Sequence, residues 1–401
     1  MHKTSIESAL KLGQHEAVKE IHGNPNDTRA IWARLGPTAL EPLVAALRAH
    51  PDVCELEGKY AHTAQGDFEI NFERISGYLI ERTFEHEPKR VADDFIRLVN
   101  CKTYTWIEVQ FLEYCKLDHR IDLGDGFTVI PLKELSKEYA PTRIAAQLLL
   151  NREHLDPKDI TPVIRERELP LGIGDAPICE RLPVPPHATL SSDWDAILNA
   201  IILAGKGAPK WGLKYCFFKD PGWMGMSRNG GGRGDNHFGP VDVVKEVDAA
   251  VLNRIFQPLR KVSPGLLLAI KMLAKARRRK FEETEKVIDL GTCAEVLLMN
   301  KSQENNEISM KVGLRAAWYL NGGAARRVEI FRTFRDLYKL RSIAVHTGEM
   351  PRAKGVHKRQ EQAKCILDVD SLLVCLLRKM LSEGVPADAD WSSIVLDAEN
   401  I

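Results

Sequence analysis

The spacing of hydrophobic and polar positions changes several times within the first hundred residues. Apolar residues recur every three or four positions over 5–21, 27–49 and 86–100, which is the period of an amphipathic helix. Over 67–73 apolar and polar residues alternate instead, which predicts a short strand. The amino-terminal part of the chain is therefore expected to combine helices with a sheet.

Strand signals dominate the part that follows. Residues 104–114 are rich in β-branched and aromatic side chains, and alternating residues within 119–130 flank the turn sequence Gly-Asp-Gly at 124–126. These patterns predict a strand and then a β-hairpin. Prolines and glycines are frequent between about 156 and 245, so we expect short strands and long loops there, with one strand over 213–218.

The last third of the chain has the period of helices almost throughout. The predicted helices cover 266–279, 282–300, 308–320, 324–346 and 358–381. Helices with short connections form a bundle, so the expected fold class is α+β with an all-α bundle at the carboxyl end. We expect an α+β sensor or regulatory region at 1–255, which is one domain or two divided near 103. The bundle would occupy 256–386, and an acidic tail would occupy 387–401.

Composition narrows the class of protein further. The chain has 401 residues, of which 44% are hydrophobic and 28% are charged, as in soluble globular proteins. It contains no apolar run long enough to span a bilayer and no stretch of signal-peptide type near its start. A cytoplasmic protein without a membrane partner is the expectation.

The cysteines give no sign of a metal site. The eight cysteines form no CxxC pair, and the ligand-like spacing of Cys115 and His119 is not accompanied by a second pair. We therefore expect reduced thiols, no bound metal ion and no other cofactor.

Charge is distributed unevenly along the chain. Residues 1–244 contain 29 Lys and Arg against 35 Asp and Glu, whereas 245–401 contain 27 against 20. The segment 320–364 alone contains 11 basic against 4 acidic residues. Such a segment is suited to a polyanionic partner, although a solvated helix face has the same composition.

Arg341 interrupts the apolar stripe of the predicted helix 324–346. The stripe is predicted to contain Val328, Phe331, Phe334, Tyr338 and Val345. A guanidinium in a buried stripe is costly unless it is paired or faces a cleft. His346 follows after five residues, about 140° around the helix, shortly before a helix-ending Gly348. An ion-paired arginine and a histidine at a helix end are the structural alternative to a catalytic pair.

The sequence from Phe334 to Gly348 resembles the signature helix of HEPN domains, in particular of the ApeA-like group. That group has the pattern lYxxRSxxvHg, in which Arg and His form the active pair, and Arg341, Ser342 and His346 match it. Residues 288–298 resemble an earlier helix of the group, which places an acidic residue, here Glu295, before a pair of leucines. The resemblance covers about 260–384.

The resemblance implies a metal-independent endoribonuclease, often a prokaryotic toxin or an antiviral effector that acts by abortive infection. Such an enzyme uses the ribose 2′-OH as nucleophile and leaves a 2′,3′-cyclic phosphate and a 5′-OH. His346 would act as general base or acid at the cleft of a homodimer, and Arg341 would bind the scissile phosphate. Glu295 would orient one of these two, and Ser342 would assist by hydrogen bonding.

Three further basic residues are candidates for binding the RNA backbone, namely Arg335, Lys339 and Arg352. A solvated helix face explains them equally well. The expected partners are RNA, a second copy of the chain, and a phage-derived or cellular trigger. A tyrosine that some small HEPN toxins carry two residues after the histidine is replaced by Gly348, so control by nucleotidylation at that position is not expected. The alternative function is a non-catalytic HEPN module that binds RNA, a nucleotide or a partner protein.

Overall fold

The computed structural model divides the chain into two compact units that are interleaved in sequence. It describes residues 2–20, 35–63, 66–84, 86–135, 159–177, 191–220, 228–230, 242–279, 282–299, 307–351 and 355–396. The first unit comprises Met1–Leu112, Asp118–Thr189 and Trp211–Arg233. The second comprises Glu113–Leu117, Leu190–Lys210 and Gly234–Ile401. Helices and sheets are both present, so the expectation of an α+β fold is confirmed.

The first unit contains helices and two sheets. Its helices are α1 (His2–Glu20), α2 (Pro37–Arg48), α3 (Phe72–Thr83) and α4 (Pro88–Val99). Its strands are β1 (Tyr60–Thr63), β2 (Gly66–Glu69), β3 (Thr103–Glu113), β4 (Ile121–Gly124), β5 (Phe127–Val129), β6 (Ile160–Pro170), β7 (Gly172–Gly174), β8 (Lys210–Asp220) and β9 (Arg228–Gly230), with the ends of β3 and β8 reaching the second unit. Short helical turns lie at Cys54–Leu56 and Leu132–Glu134.

The two sheets differ in the number and order of their strands. The smaller has the order β2-β1-β7, with antiparallel pairs such as Ala61 with Phe68 and with Ile173. The larger has six strands in the order β4-β5-β6-β3-β8-β9. The predicted hairpin is confirmed as the antiparallel pair of β4 and β5.

Side chains of β3 alternate between the two faces of the larger sheet. Ile107, Val109 and Phe111 pack in one apolar cluster with residues of β6 and β8. Tyr104 and Trp106, which have the opposite parity, belong to a second cluster formed with the apolar faces of the helices. Strand side chains alternate with period two, so the buried polar residues Glu108 and Gln110 share this second face.

The second unit is mainly helical. Its helices are α5 (Ser191–Ala204), α6 (Ala249–Leu259), α7 (Pro264–Arg278), α8 (Glu283–Leu298), α9 (Ile308–Tyr319), α10 (Ala324–Thr347), α11 (Val356–Glu383) and α12 (Asp388–Leu396). In the part of the chain that the structure describes, no helix has both the length and the hydropathy that a bilayer crossing requires. The five helices predicted between 266 and 381 are confirmed with small differences at their ends.

The predicted strand over 67–73 is wrong in its second half. The strand ends at Glu69, and α3 begins at Phe72. The Asn71 side chain accepts a hydrogen bond from the Arg74 backbone N–H at 3.0 Å, which is the contact of a helix N-cap. The helix cap at Asn71 therefore ends the extended segment, although apolar and polar residues alternate as far as 73. Of the predicted helix 27–49, α2 accounts for Pro37–Arg48, and 27–34 lie outside the described residues.

The expected acidic tail contains a packed helix. Trp391, on α12, is 2% exposed, and its ring lies 5.7 Å from the ring of Tyr319 on α9. Burial of an indole outweighs the polar character of the neighbouring residues. The segment expected to be an acidic tail thus includes a helix, Asp388–Leu396, that packs against α9.

The expected domain boundary at 255 also differs from the structure. The second unit includes 190–210, and Ile202 packs with Ala208 and Ala274 in one of its apolar clusters. Arg277 of α7 donates to the carbonyl oxygens of Ile202, Gly205 and Gly207. The helices after 255 therefore share their core with a segment that precedes them by about fifty residues in the sequence.

Candidate active site

Helix α10 buries one face, and Arg341 lies on that face. Its buried apolar residues are Ile330, Phe334, Leu337, Tyr338 and Ala344. Arg341 follows Leu337 by four positions and precedes Ala344 by three, so it lies in the same stripe. Val328 and Val345, which the sequence analysis placed in the stripe, are 46% and 52% exposed. The prediction that Arg341 interrupts a buried stripe is confirmed, but the stripe is turned around the helix relative to the predicted one.

Glu295 of α8 holds the guanidinium of Arg341. The Arg341 Nη2 donates to the Glu295 Oε2 at 3.0 Å, across 46 residues of sequence. Each side chain of the pair is 25% exposed, so the pair lies at the edge of the core, with one side open to solvent. The Arg341 Nε is buried and has no hydrogen-bond partner among the described residues. The structure thus brings two of the predicted site residues together.

Gly291, one turn before Glu295 on α8, makes room for the arginine. A Cβ atom at position 291 would lie 2.2 Å from the Arg341 Cδ and 2.8 Å from its Nε. Both distances are far below van der Waals contact, so Arg341 lies directly on the backbone of α8 at this glycine. Any larger residue at 291 must move the Arg341 side chain.

Tyr338 forms another wall of the site. The Arg341 guanidinium carbon is 5.7 Å from the centre of the Tyr338 ring, within the range of a cation–π contact. Burial, reinforced by the nearby Glu295 carboxylate, raises the pKa of Tyr338 well above its usual value. Tyr338 is therefore a neutral phenol at physiological pH and is excluded as a general base.

His346 and Ser342 both lie on the exposed part of α10. His346 is in the last turn of the helix, which ends at Gly348 with φ of +72°. The Gly348 N–H donates to the Ala344 carbonyl at 2.9 Å, and the Thr347 hydroxyl donates to the Ile343 carbonyl at 2.8 Å. These bonds fix the end of the helix, and the His346 imidazole is left open to a ligand from solvent.

No family model, curated protein or solved structure matches this chain.

A chemical function for the site must therefore be argued from its own residues. A paired guanidinium at the core edge and an exposed imidazole on the same helix can bind an oxyanion and transfer a proton. Among the described residues, no group of three or more His, Cys, Asp or Glu is arranged to hold a metal ion.

The basic residues predicted to bind RNA differ in their surroundings. Arg335 and Lys339 are exposed on α10, and Lys339 is 2.7 Å from the Asp336 carboxylate. Arg335 lies over the ring of Phe331 at 5.6 Å. Arg352 lies outside the described residues. The structure places the first two on the surface of the helix that carries Arg341, where an extended polyanion could reach them.

The sequence analysis missed Gly291 and the role of Tyr338. An isolated glycine within a helical, apolar pattern signals a close approach by another group, and Gly291 in 288–298 has this character. Tyr338 was assigned to the core stripe, and nothing in its spacing distinguishes a wall of a site from a core residue.

Replacing Gly348 with alanine is expected to destabilise the chain by about 1 kcal/mol, because φ of +72° is unfavourable for any residue with a Cβ. Urea unfolding, compared between the wild type and the variant, measures the difference. Gly348→Asn is the matched control, because asparagine tolerates the left-handed conformation better, and its loss should be smaller. Equal losses for alanine and asparagine would contradict this account of the helix end.

Proposed function

We propose that the chain is a metal-independent endoribonuclease of HEPN type whose active groups are Arg341 and His346. The observation that carries the proposal is the position of Arg341. Its guanidinium donates to the Glu295 carboxylate at 3.0 Å, and its side chain fits against α8 because Gly291 has no Cβ. A chain does not need this arrangement to close a core, since an apolar residue at 341 would continue the stripe. The arrangement instead keeps a guanidinium in a defined place at the edge of the bundle.

The proposed reaction uses the nucleophile of the substrate. The ribose 2′-oxygen forms a bond to the adjacent phosphorus while the bond from phosphorus to the 5′-oxygen breaks. A base takes the proton from the 2′-OH, and an acid gives a proton to the departing 5′-oxygen. The products are a 2′,3′-cyclic phosphate and a 5′-OH. Arg341 stabilises the charge on the phosphate oxygens, and His346 acts as the base or the acid.

Two copies of the chain complete this chemistry, because the motif supplies one histidine and the reaction needs both a base and an acid. A homodimer that joins two α10 helices provides two histidines and two arginines around one phosphodiester. Arg335 and Lys339 extend the positive surface along the helix and contribute sequence-independent attraction to the RNA backbone. In the cell, such an activity is that of a toxin or of an antiviral effector.

His346→Ala is expected to lower RNA cleavage by roughly 10²- to 10⁴-fold, the contribution of a positioned acid or base. The assay uses the purified full chain, a mixed-sequence RNA and EDTA, with end-group analysis of the fragments. Expression of the wild type in cells, with and without phage challenge, is compared with the variant for growth arrest and RNA integrity. His357→Ala is the matched control, because His357 is also exposed but lies on α11 instead of α10, where it pairs with Glu361 of the same helix.

Several results would decide against the ribonuclease. Cleavage by His346→Ala at the wild-type rate would remove His346 from the mechanism. RNA binding by the wild type with no cleavage and no growth arrest under any challenge would favour the non-catalytic module. Fragments with 3′-OH ends would indicate a different reaction class.

A further inference from the structure

Four charged side chains meet on one face of the six-stranded sheet, in the first unit. Glu108 of β3 is 4% exposed. Its carboxylate accepts from the Arg167 Nη2 at 2.9 Å, and it lies 3.1 Å from the Lys214 Nζ and 3.9 Å from the Arg165 Nη1. We name these four residues the Glu108 cluster.

The strand order and the pleat explain why these residues meet. Strands β6, β3 and β8 are adjacent in the sheet, and they contribute Arg165 with Arg167, Glu108 and Lys214 in that order. Glu166 and Lys219, which have the opposite parity on β6 and β8, pair with each other at 3.2 Å. The alternation of strand side chains therefore places one carboxylate with three cations on one face.

Glu108 is the carboxylate that the three cations of the Glu108 cluster share, and an arginine does not lose its proton in a protein. Arg165 and Lys214 have further interactions besides those with Glu108. Arg167 is the informative member, because its Nε and Nη1 are buried with no hydrogen-bond partner in the described part of the chain. Leaving such donors unsatisfied costs about 1–3 kcal/mol for each group, and more for charged groups.

We propose that the Glu108 cluster is a binding site for a phosphate group, either inorganic phosphate or the phosphate of a small metabolite or nucleotide. Arg167 donates to the phosphate from the nitrogens that Glu108 leaves unused. A phosphate monoester carries close to two negative charges at neutral pH, and guanidinium groups recognise its oxygens well. The site is distinct from Arg341 and His346, so the first unit would sense a small anion independently of RNA cleavage.

The members of the Glu108 cluster differ in their exposure to solvent. The Arg167 side chain is 11% exposed and that of Lys214 is 27% exposed, whereas the side chain of Arg165 is 2% exposed. Lys214 is the most exposed member, so an anion would enter from its side and would displace the groups that cover the Arg167 Nε and Nη1. A site of this kind removes most of the water from the bound phosphate, which strengthens its hydrogen bonds.

The test is the thermal stability of the full chain in phosphate compared with chloride at equal ionic strength. Saturating phosphate is expected to raise Tm of the wild type by on the order of 5 °C. Arg167→Gln should lose this shift. Arg97→Gln should keep it, because Arg97 is an exposed arginine of the same unit whose ion pair among the described residues is with Asp94, at 3.4 Å. Inorganic phosphate and AMP are compared to distinguish the free ion from a phosphorylated ligand.

A second variant keeps the inference testable if Arg167→Gln does not fold. Glu108→Gln removes the carboxylate that competes for Arg167, so equilibrium dialysis with radiolabelled phosphate should show tighter binding, by roughly tenfold or more at such a charged site. Saturable binding to the wild type that strengthens in Glu108→Gln supports the site. Absence of saturable binding, an equal Tm shift in Arg167→Gln, or equal stabilisation by malonate would overturn it. These readouts do not involve RNA cleavage, so their failure is distinguishable from failure of the proposed ribonuclease.

Discussion

Gly291→Ala is expected to remove most RNA cleavage while leaving the chain folded. The added Cβ would lie 2.2 Å from the Arg341 Cδ, and the arginine side chain is flexible enough to move away. Alanine is also the better helix former, by about 1 kcal/mol, which offsets part of any local strain. Arg341 would then lose its position beside Glu295, and the rate should fall by roughly 10²- to 10³-fold, as when one donor to a developing oxyanion is removed.

Three variants separate the role of Gly291 from general effects on the helices. Gly265→Ala is the matched control, because a Cβ at this glycine of α7 would meet nothing within 4 Å. The double variant Gly291→Ala with Arg341→Ala should be no slower than Arg341→Ala alone, since both act through the same side chain. Wild-type cleavage by Gly291→Ala, together with loss of cleavage by Arg341→Ala, would show that the arginine acts from another position. Full cleavage by both would contradict the proposed active site itself.

The buried stripe of α10 shows what the sequence can and cannot predict. The helix, its end at Gly348 and the place of Arg341 among apolar positions all followed from period and composition. The exact face did not, because apolar residues lie on more than one side of this helix. Val328 and Val345 fit a stripe as well as Ile330 and Ala344 do, and only packing against neighbouring helices decides between them.

The pairing of Arg341 with Glu295 has a different origin. Glu295 was identified only by the resemblance of its helix, because no local rule connects residues 46 positions apart. The Glu108 cluster was not anticipated at all. It depends on the strand order β6-β3-β8, which a single sequence does not reveal. In both cases the chemistry depends on long-range contacts.

The two compact units differ from the predicted division of the chain for a related reason. Composition placed a boundary at 255, where the helical pattern begins, yet α5 precedes that boundary and supplies part of the same core. The pattern of helices after 255 predicts a complete bundle, although α5, which lies earlier in the chain, forms part of its core. A truncation at 255 would expose this core, so the full chain is the appropriate material for every assay proposed above.

Arg277→Met is expected to destabilise the second unit by about 3–5 kcal/mol, because it leaves a partly buried carboxylate and several carbonyls without their donor. Arg277 binds Asp370 through its Nε at 2.8 Å and its Nη2 at 2.7 Å. Its Nη1 donates to the Ile202 carbonyl at 2.5 Å and to those of Gly205 and Gly207 at 3.2 Å. One side chain thus joins α7, α11, the end of α5 and the segment that follows it.

Urea unfolding followed by tryptophan fluorescence measures this loss, and two variants make it specific. Arg378→Met is the matched control, because within the described part of the chain this half-buried arginine of α11 donates to a single carbonyl, that of Leu203, and its loss should be about 1–2 kcal/mol. The double variant Arg277→Met with Asp370→Leu removes both charges and should recover much of the stability, since an apolar pair can replace a buried ion pair. A loss below about 1 kcal/mol for Arg277→Met would mean that the carboxylate and the carbonyls find other donors. The segment after α5 would then not depend on this arginine for its place in the core, and the reason given for rejecting the boundary at 255 would be weakened.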